Sequence, residues 1–174
     1  MDTPIRFLIR ICVTILGRYE MERNEIIAGL LNRVGRFTPN TFTERLAVQK
    51  IILIAQTEMK DFPYHYKFRL YINGPYSSEL ANDLYNIKDT APYGATEFLD
   101  KEQDKKYCLF VEKIKPCVNN RDILELVGTL FYFKSKGFSN NRLMDLLKSV
   151  KSDFSEQYYN EAWILFTDIE KIFN

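Results

Sequence analysis

The chain has 174 residues, and its 13 Phe, 11 Tyr and 1 Trp supply enough large apolar volume for a core of its own. Only 7 Gly and 6 Pro exclude a low-complexity chain. Lys and Arg number 24 against 23 Asp and Glu, which excludes a protein basic throughout, and the single His excludes sites built from several imidazoles.

Thr3-Pro4 reads as an N-cap followed by proline at the first helical position, and it predicts a helix from Pro4 to about Leu16. That stretch carries Arg6 and Arg10 and is too short to span a membrane, so it reads as an amphipathic core helix. Ile26, Ile27, Leu30, Leu31 and Val34 repeat at helical spacing and stop at Gly35. Thr38-Pro39-Asn40 reads as a loop. Thr43 then caps a helix to about Met59. It is apolar on nearly every side and is expected to be the central buried helix.

From His65 to Ile72 the pattern alternates. Tyr66, Phe68, Leu70 and Ile72 face one way and His65, Lys67, Arg69 and Tyr71 the other, as in a half-buried strand. Asn73-Gly74-Pro75 reads as the turn that stops it, and Ser77 caps a helix to about Lys88. A loop about Pro92 and Gly94 follows. An apolar stretch, Thr96–Leu99, a charged bend, Asp100–Lys105, and a second strand, Lys106–Ile114, read as a β-hairpin. Three helices complete the chain: Arg121–Lys136 with Gly137 beyond its end, Asn140–Lys151, and Glu156–Phe173. The elements add up to a helix-rich α+β single domain, with residues 1–42 as a helical N-terminal extension and 119–174 as a C-terminal helical part.

The chemistry is sparse. No P-loop, nucleophile elbow, HExxH or dinucleotide fingerprint occurs, and no cofactor or metal is expected. Cys12, Cys108 and Cys117 are odd in number and form no CxxC pair, which fits free thiols in a reducing cytoplasm. His65 with a carboxylate such as Glu79 is the one acid–base pair on offer, and it defines a hydrolase-like alternative. Tyr64, Tyr66, Tyr71, Tyr76 and Tyr85, interleaved with Lys67 and Arg69, read as core packing before they read as a base-stacking platform. Charge runs in blocks. Residues 1–50 and 101–150 carry net charges of +3 and +4, against −3 for each of the other two segments. A nucleic-acid surface would therefore draw on Arg33, Arg36, Arg45, Lys50, Lys105 and Lys106.

One segment carries a resemblance. Leu46-Ala47-Val48-Gln49-Lys50, an aromatic stretch from Phe62 to Phe68, and Gly74-Pro75-Tyr76-Ser77-Ser78-Glu79-Leu80 follow in that order. This arrangement resembles the YwgA-like family of uncharacterised prokaryotic proteins and, more distantly, the Panacea or SocA-like antitoxin domain. The resemblance implies a winged-helix-like core over residues 43–118 and a role in binding rather than catalysis, in toxin–antitoxin or defence settings. It marks His65, Arg69, Tyr71, Gly74, Pro75, Tyr76, Ser77 and Glu79 as the motif and binding residues.

The expectation is a non-enzymatic cytoplasmic binding module that acts on a protein partner. A winged-helix DNA-binding regulator is the alternative, with weak and salt-sensitive contact to nucleic acid. The helix after Ser77 carries Glu79 and Asp83 and would repel phosphates. Self-association into a homodimer stays open.

Overall fold

Thr41 begins the central helix, two residues before the predicted cap. Its side chain accepts from the Glu44 amide at 3.2 Å and its hydroxyl donates to the Glu44 carboxylate at 2.8 Å. Helix α2 runs from Phe42 to Glu58, preceded by α1, Arg23–Val34. The structure is a computed structural model and describes residues 23–35, 37, 41–60, 62–87 and 99–174. The predicted helix Pro4–Leu16, Arg36, the Thr38-Pro39-Asn40 loop, Lys88, the loop about Pro92 and Gly94, and residues 96–98 lie outside the described residues.

Ten consecutive residues of α2, Leu46 to Ala55, are buried, which makes it the central helix its composition predicts. Its broadest packing is against α5, Arg121–Ser135, where every residue from Ile123 to Phe131 is buried. Around that pair lie α6, Asn140–Val150, and α7, Glu156–Phe173, both packed on α5. Helix α3, Ser78–Asn86, packs on α1 and α2. Gly137, at φ +81°, closes α5 in the left-handed conformation that glycine adopts without strain.

The described residues thus form a helix-rich α+β fold of seven α-helices and one two-stranded antiparallel sheet. The sheet is smaller than the sequence pattern suggests. Strand β1 covers only Arg69–Tyr71 and pairs with β2, Gly74–Tyr76, in the register Arg69–Tyr76, Leu70–Pro75, Tyr71–Gly74. The turn is therefore Ile72-Asn73, and Gly74-Pro75 starts the returning strand instead of ending the first one. Pro75 is tolerated there because a two-stranded sheet is all edge. The alternation holds from His65 to Tyr71, with Tyr66 and Phe68 buried and His65, Lys67, Arg69 and Tyr71 exposed. It fails at Ile72, which is turned out to solvent.

The predicted second strand is a correction. Residues 101–114 form helix α4, Lys101–Ile114, and no strand passes through Lys106–Ile114. Asp100, read as part of a bend, is the N-cap, and its carboxylate accepts from the amides of Glu102 and Gln103. Glu102 and Asp104 sit in the first turn and Lys113 in the last, as the helix dipole favours. The buried residues are Tyr107, Phe110 and Ile114, at helical and not alternating spacing. A hairpin wing over these residues is therefore not what the chain builds, and the fold is described without a winged-helix core.

No helix among the described residues is long and apolar enough to cross a membrane.

Candidate functional site

Two glutamines on one face of α2 position the motif residues. Gln49 and Gln56 are two turns apart, and each side-chain amide pairs with one stretch of extended backbone. Gln56 accepts from the Tyr66 amide and donates to the Tyr66 carbonyl, both at 3.0 Å. Gln49 accepts from the Ser77 amide at 2.8 Å and donates to the Ser77 carbonyl at 3.0 Å. A primary amide presents one donor and one acceptor side by side, so it stands in for a neighbouring strand. Helix α2 thereby grips the aromatic stretch before β1 and the junction after β2. Ser77 completes the grip, because its hydroxyl accepts from the Leu80 amide and caps α3. The two halves of the motif are thus joined by side chain–backbone pairing.

Beneath the hairpin lies a buried charge cluster. Lys50 follows Gln49 and is only 2% exposed, and its Nζ has no hydrogen-bond partner among the described residues. Burial holds its amine down to about 8, with the charges of Lys151 and Arg121 acting the same way and Glu125 opposing them. Glu125 of α5 is also buried, and Lys151, just past α6, donates to it at 2.6 Å. Lys151 also donates to the Ile72 carbonyl, which ties the hairpin turn to the cluster. The Lys151 carbonyl in turn accepts from the Tyr159 hydroxyl. Arg121 donates to the Asn73 side chain on the other side of the turn.

Two glycines make this packing achievable. Gly74, at φ +83°, lies where a Cβ would come within 3.2 Å of Glu125 Cγ and 3.3 Å of Lys50 Cε. At Gly128, inside α5, a Cβ would come within 2.6 Å of Lys50 Cγ. The helix carries a glycine there so that the Lys50 stem can cross it.

Two clefts flank the hairpin. The first, an empty volume of about 260 Å³, is lined by Lys50, Asn73, Arg121, Glu125 and the apolar side chains of Leu46 and Leu124, among others. The second, about 710 Å³, is an apolar groove formed by Phe42, Leu46, Tyr71, Ile72, Asn73, Gly74 and Tyr76. Leu46 and Asn73 are shared walls. Ile72, at the hairpin tip, is 90% exposed, with Phe42 at 56% and Tyr71 at 55%. Tyr71 and Tyr76 meet edge to face with ring centroids 5.9 Å apart.

The structure divides the motif residues sequence reading had grouped. Gly74, Pro75 and Ser77 are buried and hold the backbone. Tyr71 and Tyr76 line the apolar groove. His65 and Arg69 are exposed and line neither cleft. Glu79, the carboxylate paired with His65 in the enzyme alternative, takes the Arg23 guanidinium at 2.7 Å. Asp83 accepts from the buried Tyr66 hydroxyl at 2.7 Å; burial first and this bond second push the Tyr66 phenol well above its ordinary value.

The basic residues read as one face are dispersed. Arg33 of α1 pairs with Asp104 at 2.5 Å and lies over the Tyr107 ring. Arg45 lies over Tyr85, Lys50 is buried, and Lys106 pairs with Glu102 at 3.3 Å. Lys105 is exposed on α4, and Arg36 lies outside the described residues. Sequence reading missed Gln49, Glu125 and Lys151 as site residues. The available signal was Glu125 with Gly128 inside the apolar run Ile123–Leu130, where a charge and a mid-helix glycine both ask for a close partner.

Among the described residues no group of three or more His, Cys, Asp and Glu is placed to hold a metal ion. No family model matches the chain, and neither the curated proteins nor the solved structures contain a match.

Proposed function

We propose that this protein is a non-enzymatic cytoplasmic binding module that engages a protein partner through the apolar face of the β1–β2 hairpin. The supporting observation is Ile72. Two-residue hairpin turns favour Asn, Gly and Asp, and a turn isoleucine 90% exposed gains nothing in the isolated chain. Beside it, Phe42 and Tyr71 extend the apolar surface and Tyr76 walls the groove. Exposed aromatic and aliphatic side chains on a rigid support are what interface centres are made of. The support here is rigid by construction, because Gln49 grips one end of the hairpin and Lys151 the other.

The resemblance to YwgA-like and SocA-like proteins points to the same reading, an antitoxin-like or defence-associated regulator. The DNA-binding reading draws less support, since Arg33, Arg45 and Lys106 are engaged within the fold and Lys50 is buried.

The test is a pair of pull-downs from the source organism, with wild type and Ile72→Asp side by side. Any captured protein is then purified and its binding remeasured. Ile72→Asp is expected to keep the wild-type melting temperature, because the residue packs on little, and to lose the partner. Identical captured sets for the two proteins would overturn the reading.

A further inference from the structure

The outer edge of the hairpin is open. Strand β2 packs on α2 and α5, whereas β1 packs broadly only on β2 among the described residues. In an antiparallel ladder, hydrogen-bonded pairs alternate with pairs that turn their N–H and C=O groups away from each other. A two-residue turn is closed by a bonded pair, here Tyr71–Gly74, and Pro75 has no N–H to give, so Leu70–Pro75 is of the second kind. The Leu70 N–H and C=O therefore point away from β2, and no described residue bonds to either. Beside this edge the outward face of the arm is cationic. Lys67 and Arg69 are exposed, and neither has an ion-pair or hydrogen-bond partner among the described residues. Glu79 and Asp83, the acids just past the hairpin, are taken by Arg23 and Tyr66. Tyr71 continues the outward face, while Phe68 and Leu70 on the other face lie against the core.

We propose that the β1 edge takes an extended segment of the protein partner as a third strand, one in which acidic and apolar residues alternate. The proposal rests on the hairpin reading above and adds the conformation and charge of what binds. Backbone pairing follows from the free Leu70 groups, which an extended chain satisfies and a helix, with its own groups paired internally, does not. The alternation follows from the pleat. A strand laid beside β1 sets its side chains about 5 Å from those of Lys67 and Arg69 on one face, and as near to Phe68 and Leu70 on the other. Carboxylates suit the first face and apolar groups the second. The same charges exclude a second copy of this chain, because pairing β1 with itself brings two sets of these cations onto one face.

The experiment is a titration of the isotope-labelled full chain with capped octapeptides, followed by amide shifts and by hydrogen exchange at Leu70. Alternating Glu-Val is the probe. The controls are alternating Lys-Val, a block peptide of the same Glu and Val content, and the Glu-Val peptide N-methylated at every Val, the positions that would face Leu70. The Glu-Val peptide is expected to bind saturably, to shift the Leu70 amide and to slow its exchange. It should bind roughly tenfold more tightly than the Lys-Val or block peptide. N-methylation should abolish binding. Lys67→Glu combined with Arg69→Glu, both at exposed positions, should reverse the order of the Glu-Val and Lys-Val peptides. No binding of the Glu-Val peptide, equal binding of either unmethylated control, binding that survives N-methylation, an unshifted Leu70 amide, or an order unchanged by the double variant would each overturn the proposal. Where Ile72→Asp still loses its partner, such a failure strikes the added strand alone; identical capture by Ile72→Asp strikes the partner reading itself.

Discussion

At Gly74 two independent constraints meet in one residue. Its φ of +83° is costly for any side chain, and its missing Cβ leaves space for Glu125 and Lys50. Gly74→Val is therefore expected to destabilise the protein by about 2–4 kcal/mol, seen as a fall in the urea midpoint. Gly137 has a similar φ but open space around it, so Gly137→Ala should cost only about 1 kcal/mol. Equal midpoints for the two variants would show that the contacts beneath Gly74 contribute nothing. Lys50 makes the opposite kind of prediction. Its amine is held at about 8 in the folded protein, below its value in the unfolded chain. Below pH 8 both states carry the charge, and the folded state bears its burial cost in full. Between pH 8 and about 10.5 the unfolded state binds the extra proton, so this group's contribution to stability rises with pH. Lys50→Met should then be more stable than wild type at pH 7, by on the order of 2–3 kcal/mol, with the gap closing toward pH 10. Unfolding midpoints of the two proteins across that range check the sign.

At the scale of one element, α4 shows how charge and apolar patterns compete. Lys106–Ile114 holds a short apolar run, Tyr107–Val111, that reads as a strand after a charged bend, yet Asp100 caps a helix and the first and last turns carry the charges a helix dipole favours. The two readings bury different residues. A strand places Leu109 with Tyr107 and Val111, whereas the helix buries Phe110 completely and leaves Leu109 41% exposed. Phe110→Ala is expected to cost about 3–5 kcal/mol and Leu109→Ala less than about 1 kcal/mol. The reverse order in chemical denaturation would restore the strand. The hairpin teaches a related lesson. Its outward alternation is legible to Tyr71, but its extended arm is held by Gln56 and not by a partner strand, a pairing that local periodicity does not encode.

Across the whole molecule the core ignores the division suggested at residue 118. Helix α2 finds its largest partner in α5, and the charge cluster joins Lys50 to Glu125 and Lys151. Residues 43–118 alone would expose the α2 face that α5 covers, and Lys50 would lose the one carboxylate that opposes its burial. The full chain is therefore expected to unfold in a single transition by circular dichroism and by Trp163 fluorescence alike. A fragment ending at Val118 should show no cooperative melt, and a native-like melt of that fragment would show that the two parts are separate units.

Sequence by itself determined the helices that advertise an apolar period: α1, α2, α3, α5, α6 and α7 all lie close to where apolar spacing, Ser77 and Gly137 place them. These signals are local, since a cap acts within a few residues and amphipathic spacing within a few turns. Only the tertiary structure decided what Gln49, Lys50 and Glu125 do. Gln49 is an ordinary helical residue until Ser77 arrives, 28 positions later, to pair with it. Lys50 is an ordinary surface type until α5 closes over it with a glycine at its stem. Ile72 looks like one more inward residue of an alternating strand until the turn forms beneath it. Each of these outcomes is an interaction between distant segments, and its energy resides in desolvation and geometry that exist only after the chain has closed on itself.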